Sequence, residues 1–264
     1  MKNIYDNSKD KLSDNDYNIS ERSGFCKKLN PIESNYDFTD KICIVTGANG
    51  DFGKSFSKHL AKHGCNIIMV DIHDSSEFVK ELSSKYKKQI FESRVIDICD
   101  YDKVNHMCQD LYGKYKRIDM LFNNAGYQGD ITNTIDYSVK DFKKIIDINI
   151  TGNFIILKCV AKIMVKQKPQ GGSIVNTASM AGIATPPNMI AYASSKAAVK
   201  HMSAIAAKDL VKFNIRVNSI SPAFIGPGFM WKRQVELQAK AGSQFFSEDP
   251  NVVSEQMINE VPMK

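Results

Sequence analysis

The chain has 264 residues, 43% of them hydrophobic, and a formal net charge of +6. This size and composition suit one α/β domain with its own core, and the scattered lysines indicate solvated helix faces rather than a nucleic-acid surface. No apolar run approaches the roughly 20 residues of a membrane helix. The six cysteines form no CxxC pair, so we interpret them as reduced thiols of a cytoplasmic protein without a metal site.

Residues 1–39 differ from the rest of the chain, because they are rich in Asn, Asp, Ser and Lys and lack periodicity. This composition predicts a disordered polar extension. Its acidic residues argue against a transit peptide, which would be basic and poor in acids. We therefore place the folded domain at residues 40–264.

From residue 41 onward, short apolar runs alternate with amphipathic ones. In chain order the pattern predicts strand 41–46, helix 51–63, strand 66–70, helix 75–86, strand 90–95, helix 101–115, strand 118–122, helices 138–147 and 150–166, strand 173–176, helix 190–212 and strand 215–219. A further helix is expected around 229–240. Six apolar strands separated by helices indicate a doubly wound parallel sheet, covered on both faces.

The first predicted strand runs into TGANGDFG, residues 46–53, and then into a helix. Such a glycine turn aims backbone N–H groups and a helix N-terminus at phosphate. Asp51 places an acid in this turn. We expect its backbone to tolerate a left-handed conformation and its carboxylate to cap the helix. We also expect its charge to weaken the binding of a pyrophosphate without abolishing it.

Polar or small residues also follow the next three strands, where the ligands of an open parallel sheet bind. Asp71 comes 24 residues after Gly47, which suits a carboxylate that binds a ribose 2′-OH and repels a 2′-phosphate, so NAD is favoured over NADP. Asp97 and Ile98 follow the third strand, and NNAG at 123–126 follows the fourth. Each signal alone also fits a turn or a helix cap. Together they indicate a dinucleotide site.

Four residues form a candidate catalytic set. Tyr192 and Lys196 are four apart on a predicted helix and share one face. We expect the ammonium to lower the pKa of the phenol, which then serves as a general base near neutral pH. Ser179 follows the fifth strand and is expected to hold the substrate oxygen. Asn149 is expected to bind a water that links Lys196 to solvent. A YxxxK pair alone fits a surface helix equally well; Ser179 at this spacing favours catalysis.

These motifs make the chain, from about residue 41, resemble the short-chain dehydrogenase/reductase family. The likeness rests on TGANGDFG, Asp71, Asp97, NNAG, Asn149, Ser179, YASSK and RVNSISPAFIGPG. Within that family, NNAGYQG, VNTASMAG, PPNM and GPGFMWKRQVELQAKAGSQFF are similar to the bacterial NAD-dependent xylitol dehydrogenases.

The resemblance implies a Rossmann-type single domain, a homotetramer, and oxidation of a secondary alcohol of a small polyol to the ketose, with Tyr192 as the base. Together with the spacing of the motifs, it gives these candidate NAD-binding residues: Gly47, Asn49, Gly50, Asp51, Phe52, Gly53, Asp71, Ile72, Asp97, Ile98, Asn123, Ala125, Gly126, Tyr192, Lys196, Pro222, Ala223 and Ile225.

Candidate substrate residues, besides Ser179, lie in loops near these motifs. Gln128 and Asn188 offer hydrogen bonds to hydroxyl groups, and Met230 and Trp231 offer an apolar cover that excludes water. Met189 adjoins them. For each residue, a plain packing role remains an equal alternative.

The chain also departs from the family pattern. Ala223 stands where a glycine is usual and Pro227 where a threonine is common. The resemblance implies a further helix and a last strand beyond Val261, so we expect the sheet to lack that strand and to expose an edge near Ile215–Ser219. Two alternative functions follow: a truncated, non-catalytic NAD-binding remnant, or a 3-oxoacyl-type carbonyl reductase, against which Asp71 argues.

Overall fold

The computed structural model describes residues 36–226 and 228–261. Most of the predicted polar extension, and Pro227, lie outside the described residues. Of the extension, only residues 36–39 are described, and there the Phe38 N–H donates to the carbonyl oxygen of His63 at 2.8 Å. This bond joins the start of the described chain to the end of the first helix.

Six parallel strands form the sheet. They are β1 (Ile42–Thr46), β2 (Asn66–Asp71), β3 (Phe91–Val95), β4 (Met120–Asn123), β5 (Gly172–Thr177) and β6 (Ile215–Ile220), in the spatial order β3-β2-β1-β4-β5-β6. The order reverses direction between β1 and β4, and the carboxyl ends of these two strands therefore open onto a crevice. This topology confirms the predicted α/β Rossmann fold.

The helices cover both faces of the sheet. They are α1 (Asp51–Lys62), α2 (Ser76–Lys85), α3 (Tyr101–Tyr115), α4 (Val139–Ile146), α5 (Asn153–Lys166), the short α6 (Ala181–Ala184) and α7 (Ile190–Leu210). A π turn at Asp147–Gly152 joins α4 to α5 without a break. The two separate helices predicted at 138–147 and 150–166 are therefore one continuous helical run.

Alternating side chains of the central strands belong to two apolar clusters, one on each face of the sheet. In β1, Ile44 packs in the cluster that includes Ile156 of α5, whereas Val45 packs in the cluster that includes Leu60 of α1. Both strand residues are fully buried, as expected for a strand with a helix on each side. The buried sheet gives a rigid frame whose carboxyl edge carries the polar residues.

The helical run Val139–Lys166 is long and apolar enough, by length and composition, to cross a membrane. However, 61% of its most apolar stretch is buried inside the protein, and Ile156, Val160 and Ile163 belong to a core cluster with the strands. It is the core helix of the α/β domain. No other helix among the described residues meets the same criteria.

Residues 36–223 form the α/β domain, and residues 224–261 form a separate compact helical unit. The unit contains α8 (Phe229–Lys240) and α9 (Pro250–Asn259), which share a small core that includes Trp231, Val235 and Met257. The helix α8 confirms the prediction around 229–240, whereas α9 was not predicted. Among the described residues, β6 pairs with β5 alone, so the predicted edge at Ile215–Ser219 is an edge of this sheet.

Candidate active site

The glycine turn after β1 is shaped by its own backbone. Gly47 has a φ of +62°, in the left-handed region that favours glycine. A Cβ at Gly53 would overlap the carbonyl oxygen of Gly47 and lie 2.9 Å from the Cα of Ala48. Gly50 is the N-cap of α1 and offers no side-chain cap. The free N–H groups of the first turn are thus available to an anion.

Two expectations for Asp51 are wrong. Its backbone is helical, because Asp51 is the first residue of α1, and the left-handed residue of the turn is Gly47 instead. Its carboxylate does not cap the helix, because the N-cap position belongs to Gly50 and an N-cap side chain must precede the first helical residue. Asp51 is exposed, so its charge is presented to solvent at the N-terminus of α1.

Asp71, at the end of β2, fastens the glycine turn to the neighbouring strand. Its Oδ2 accepts the Asn49 N–H at 3.0 Å, and its Oδ1 accepts the His73 N–H at 3.0 Å. The Asn49 side chain donates to the carbonyl oxygen of His73 at 3.0 Å. Each carboxylate oxygen retains a second lone pair, so Asp71 is able to accept a ribose hydroxyl as well. The adjoining Ile72 is 47% exposed.

The residues after β3 have local roles. Asp97 accepts the Cys99 N–H at 2.9 Å, which is the turn role that a carboxylate in this position often has. Ile98 is buried, and a Cβ on Gly152 would come within 2.9 Å of its side chain. Ile98 thus packs against the π turn, on the side of the sheet that carries α5.

The NNAG stretch after β4 divides into a structural and an accessible part. Asn123 is fully buried, and its Nδ2 donates to the Asn153 carbonyl oxygen at 3.0 Å and to the Asn176 Oδ1 at 2.9 Å. Its side chain therefore ties β4 to β5 and α5, so a contact of Asn123 with NAD would use its backbone. Gly126, by contrast, lies beside the catalytic residues: a Cβ there would lie 3.3 Å from both Asn149 Oδ1 and Lys196 Nζ.

Sequence reasoning missed two residues that set this edge. Thr46, the last residue of β1, accepts the N–H groups of Asn124 and Ala125 at 2.9 Å each through its Oγ1. Asn124 donates its side-chain amide to the Thr46 carbonyl oxygen at 3.2 Å and to that of Gly47 at 3.4 Å. The pair holds the glycine turn against the NNAG stretch. The sequence signal that could have identified Thr46 and Asn124 is their position inside the motifs TGANGDFG and NNAG.

The structure brings Ser179, Tyr192 and Lys196 together. The Ser179 side chain is close enough to Tyr192 to lower the pKa of its phenol, and the Lys196 Nζ lies 5.7 Å from the centroid of the Tyr192 ring. Lys196 is 3% exposed, and its Nζ donates to the Thr177 carbonyl oxygen at 2.7 Å. An acid–base cluster therefore lies where the end of β5 meets the N-terminal half of α7.

Burial dominates the electrostatics of this cluster. It raises the pKa of Tyr192, and the interaction with the Ser179 side chain lowers that pKa only in part. Burial also lowers the pKa of Lys196 to about 8. The expectation that Lys196 lowers the pKa of the phenol is thus not met in the protein alone, because removal from water disfavours both charged forms.

Asn149 lies in the π turn and is fully buried. Its Oδ1 accepts the Tyr127 N–H at 2.7 Å, while its Nδ2 donates to the Tyr127 carbonyl oxygen and to Ser195 Oγ, both at 2.9 Å. Ser195 in turn donates to the Tyr192 carbonyl oxygen at 2.7 Å. Because both amide hydrogens are used internally, the Asn149 side chain ties neighbouring elements together. The predicted binding of a water by Asn149 stays a prediction.

The predicted substrate residues divide between the two units. Gln128 and Met189 are buried in the α/β domain, and Asn188 has a φ of +65°. The buried Nδ2 of Asn188 has no hydrogen-bond partner among the described residues.

Trp231 and Met230 belong to the helical unit. Trp231 is buried in its core and meets Phe224 edge-on, with ring centroids 5.7 Å apart, so its contacts there favour the packing role. Met230 is 45% exposed, and Ile225 is 49% exposed. In the α/β domain, Pro222 accepts the Met180 N–H at 2.9 Å, and Ala223 is exposed.

Comparison with known proteins agrees with this geometry. A crystal structure of an NAD+-bound xylitol dehydrogenase is 45% identical, with a TM-score of 0.80 over 86% of each chain. A 3-oxoacyl-[acyl-carrier-protein] reductase of Thermotoga maritima is 35% identical over 70% of this chain and 74% of its own. An NADH-dependent L-xylulose reductase of Ambrosiozyma monospora is 30% identical over 73% of this chain and 75% of its own.

The sequence profile of the short chain dehydrogenase family matches residues 41–238. This range contains the glycine turn, the NNAG stretch and the whole Ser179–Tyr192–Lys196 cluster. The chain belongs to the short-chain dehydrogenase family.

Proposed function

We propose that this protein oxidises a secondary hydroxyl group of a small polyol, such as xylitol, to the ketone, with NAD as the oxidant. The observation that carries the proposal is the cluster in which the buried Lys196 lies beside the Tyr192 ring and Ser179 lies next to the Tyr192 phenol. The similarity to a xylitol dehydrogenase and to an L-xylulose reductase supports a polyol as the substrate.

The residues of the crevice fit a dinucleotide. Gly47 and Gly53 leave no room for side chains, so a pyrophosphate has close access to the free N–H groups that open α1. Asp71 accepts the ribose hydroxyls and repels a 2′-phosphate, which favours NAD. An oxidised nicotinamide held there would supply the acceptor for the hydride of the carbinol carbon, and its positive charge would favour the Tyr192 phenolate.

The chain's own groups then handle the hydroxyl proton. Ser179 holds the substrate oxygen by a hydrogen bond. Tyr192 takes the proton from that oxygen as the general base. Lys196 offers a positive charge near the ring and stabilises the phenolate, which burial alone disfavours. Asn149 and Ser195 fix the backbone around Tyr192, so the base keeps its orientation.

Substrate binding uses the donors on the same side of the domain. The unpartnered Nδ2 of Asn188 and the amide of Gln128 bind hydroxyl groups next to the reacting carbon, and Met189 adds an apolar wall. A site built to hydrogen-bond hydroxyl groups rejects analogues that lack them. This supports a polyol over a simple alcohol.

We also propose a cytoplasmic homotetramer. Support for self-association comes from an apolar groove of about 640 Å³ between α5 and α7. Phe154 and Ile205 line it, and they are 46% and 49% exposed. A surface of this kind marks an interaction site. Light scattering coupled to gel filtration measures the assembly directly.

The test is NADH formation with xylitol and a panel of other polyols, using NAD and NADP in parallel. We expect turnover with NAD and a polyol, and much less with NADP. A second candidate, a 3-oxoacyl reductase, is favoured by the similarity to the Thermotoga enzyme. Preferential reduction of a 3-oxoacyl thioester with NADPH would support that candidate and contradict our proposal. Folded protein that turns over neither class would identify a non-catalytic NAD-binding protein.

A further inference from the structure

The loop that follows β4 is held at three places by neighbouring elements. We call residues 127–132 the substrate segment, because it contains Gln128. At its start, Tyr127 exchanges two hydrogen bonds with the Asn149 side chain. At its end, the Thr132 N–H donates to the Asn188 carbonyl oxygen at 3.0 Å. The third tie lies between these two and involves Asp141, a residue outside the catalytic set.

Asp141 binds the middle of the substrate segment. Its Oδ2 accepts the Asp130 N–H at 3.0 Å and the Tyr137 hydroxyl at 2.9 Å. The Tyr137 hydroxyl also lies 3.2 Å from the Asp130 carbonyl oxygen. The Asp130 N–H is therefore engaged by Asp141, and the Asp130 carbonyl oxygen shares the single hydroxyl hydrogen of Tyr137 with the Asp141 carboxylate. Hydrogen bonds to a charged acceptor are stronger than those between neutral groups, so this tie is firm.

The direction of the Asp141 side chain is unusual for its position. Ser138 is the N-cap of α4 and accepts the Asp141 N–H at 3.3 Å. An acid three residues after such a cap commonly returns to the N–H of the capping residue. Here the carboxylate instead accepts hydrogen bonds from the Asp130 N–H and the Tyr137 hydroxyl. Its bonds thus stabilise the loop rather than the start of the helix.

The backbone between the two ties lies directly against α4. Gly129 has a φ of +71°, and a Cβ there would overlap the Ile145 side chain and lie 2.6 Å from Asp141 Oδ2. Gln128 and Ile131 are each 5% exposed. The position of Gln128 is therefore determined by the Asn149 tie on one side and the Asp141 tie on the other.

We propose that Asp141 is a positioning residue for substrate selection. By holding Asp130, it fixes the position of Gln128. Through Thr132 it also fixes the turn at Asn188, so that both side chains are placed to bind the hydroxyl groups of the polyol. The inference rests on the proposed function. It assigns to Asp141 no contact with the substrate or the cofactor. Its loss should weaken polyol recognition and leave the acid–base cluster intact.

The kinetic test compares Asp141→Ala with Asp136→Ala, which removes an exposed acid from the same loop. In Asp141→Ala we expect KM for xylitol to rise about tenfold or more, because small misplacements of binding groups are costly. KM for NAD and kcat at saturating xylitol should change by less than about twofold, because Asp141 touches neither the cofactor nor the acid–base cluster. Asp141→Asn keeps an acceptor oxygen and should recover part of the loss. An unchanged KM for xylitol, or a fall in kcat as large as the rise in KM, would overturn the inference.

A second measurement does not depend on turnover. Amide hydrogen exchange of the full chain should be faster in peptides covering 127–133 for Asp141→Ala, unchanged there for Asp136→Ala, and unchanged in the strands for both. Unaltered exchange in 127–133 for Asp141→Ala would overturn the holding role. Failure of the proposed function would look different: the unsubstituted protein would form no NADH from xylitol, while the exchange would still respond to the substitution.

Discussion

Asp51 places a negative charge at the first helical position of α1, where the proposed pyrophosphate would bind. At about 6 Å, two unit charges of the same sign repel by roughly 0.7 kcal/mol at water-like screening and 3 kcal/mol at an effective dielectric of 20. Asp51→Asn should therefore bind NAD several-fold more tightly, as measured by calorimetric titration. Glu77→Gln is the matched control, because it removes an exposed acid from the first turn of α2. Equal affinity in wild type and Asp51→Asn would disprove the charge effect.

Lys196 is held in a site that disfavours its charge. Its pKa falls from 10.5 to about 8 on folding, so between these values the unfolded chain binds more protons and stability rises with pH. Below pH 8 the desolvation cost is fully present. Lys196→Met should therefore be more stable than wild type at pH 7, by about 1 to 3 kcal/mol at 1.4 kcal/mol per pKa unit, although inactive.

The advantage of Lys196→Met should shrink as the pH rises from 8 towards 10.5. Denaturant unfolding at several pH values measures it. Lys200→Met, an exposed lysine one turn further along α7, should show no such dependence. A Lys196→Met variant that is less stable than wild type at pH 7 would mean that the bond to Thr177 outweighs the desolvation.

At the residue level, the sequence was a good guide to which side chains lie close together. It was a poorer guide to the role of each side chain. Tyr192, Lys196 and Ser179 were identified because helical spacing and strand ends fix their positions. Asn123 was assigned to the cofactor, although it is buried and joins β4 to β5. Adjacent residues of NNAG point to different sides, and which side is buried depends on where β4 ends. That boundary follows from pairing with β5, not from local pattern.

At the element level, the strands were predicted to within two residues, because short apolar runs flanked by turns give a clear signal. The π turn at Asp147–Gly152 was not predicted: the pattern predicted a break between two helices there, whereas the widened turn keeps the chain helical. The helix α9 was missed although Asp249 caps it and Pro250 starts it. Its buried residues include Ser254, which weakens the apolar period.

The packing of the π turn can be tested by comparing alanine substitutions at two glycines, Gly152 in this turn and Gly113 in α3. A Cβ on Gly152 would come within 2.8 to 3.1 Å of the side chains of Ile98 and Cys99, whereas a Cβ on Gly113 of α3 would meet nothing within 4 Å. Gly152→Ala should therefore destabilise the protein by about 1 to 3 kcal/mol. Gly113→Ala should stabilise it by up to about 1 kcal/mol, from helix propensity alone.

Thermal unfolding of these two alanine variants provides the measurement. Opposite shifts of the melting temperature would support a tightly packed π turn. If Gly152→Ala melted like Gly113→Ala, the contact between the π turn and the loop after β3 would be looser than the structure indicates.

At the scale of the whole molecule, the parallel sheet brings residues from distant parts of the sequence to one edge. Asp71 follows β2, NNAG follows β4, Ser179 follows β5, and α7 supplies Tyr192 and Lys196. The family match spans all of them. We propose that this edge performs NAD-dependent oxidation of a polyol with Tyr192 as the base.

The most direct measurement of that claim is the rate of NADH formation from xylitol by wild type, Tyr192→Phe and Tyr101→Phe. Tyr101 is a partly exposed tyrosine of α3 and serves as the matched control. The account predicts that wild type and Tyr101→Phe turn over equally, while Tyr192→Phe is slower by about 10² to 10⁴-fold, the usual contribution of a general base. Turnover by Tyr192→Phe at the wild-type rate, or no NADH from the folded wild type with any polyol, would contradict it.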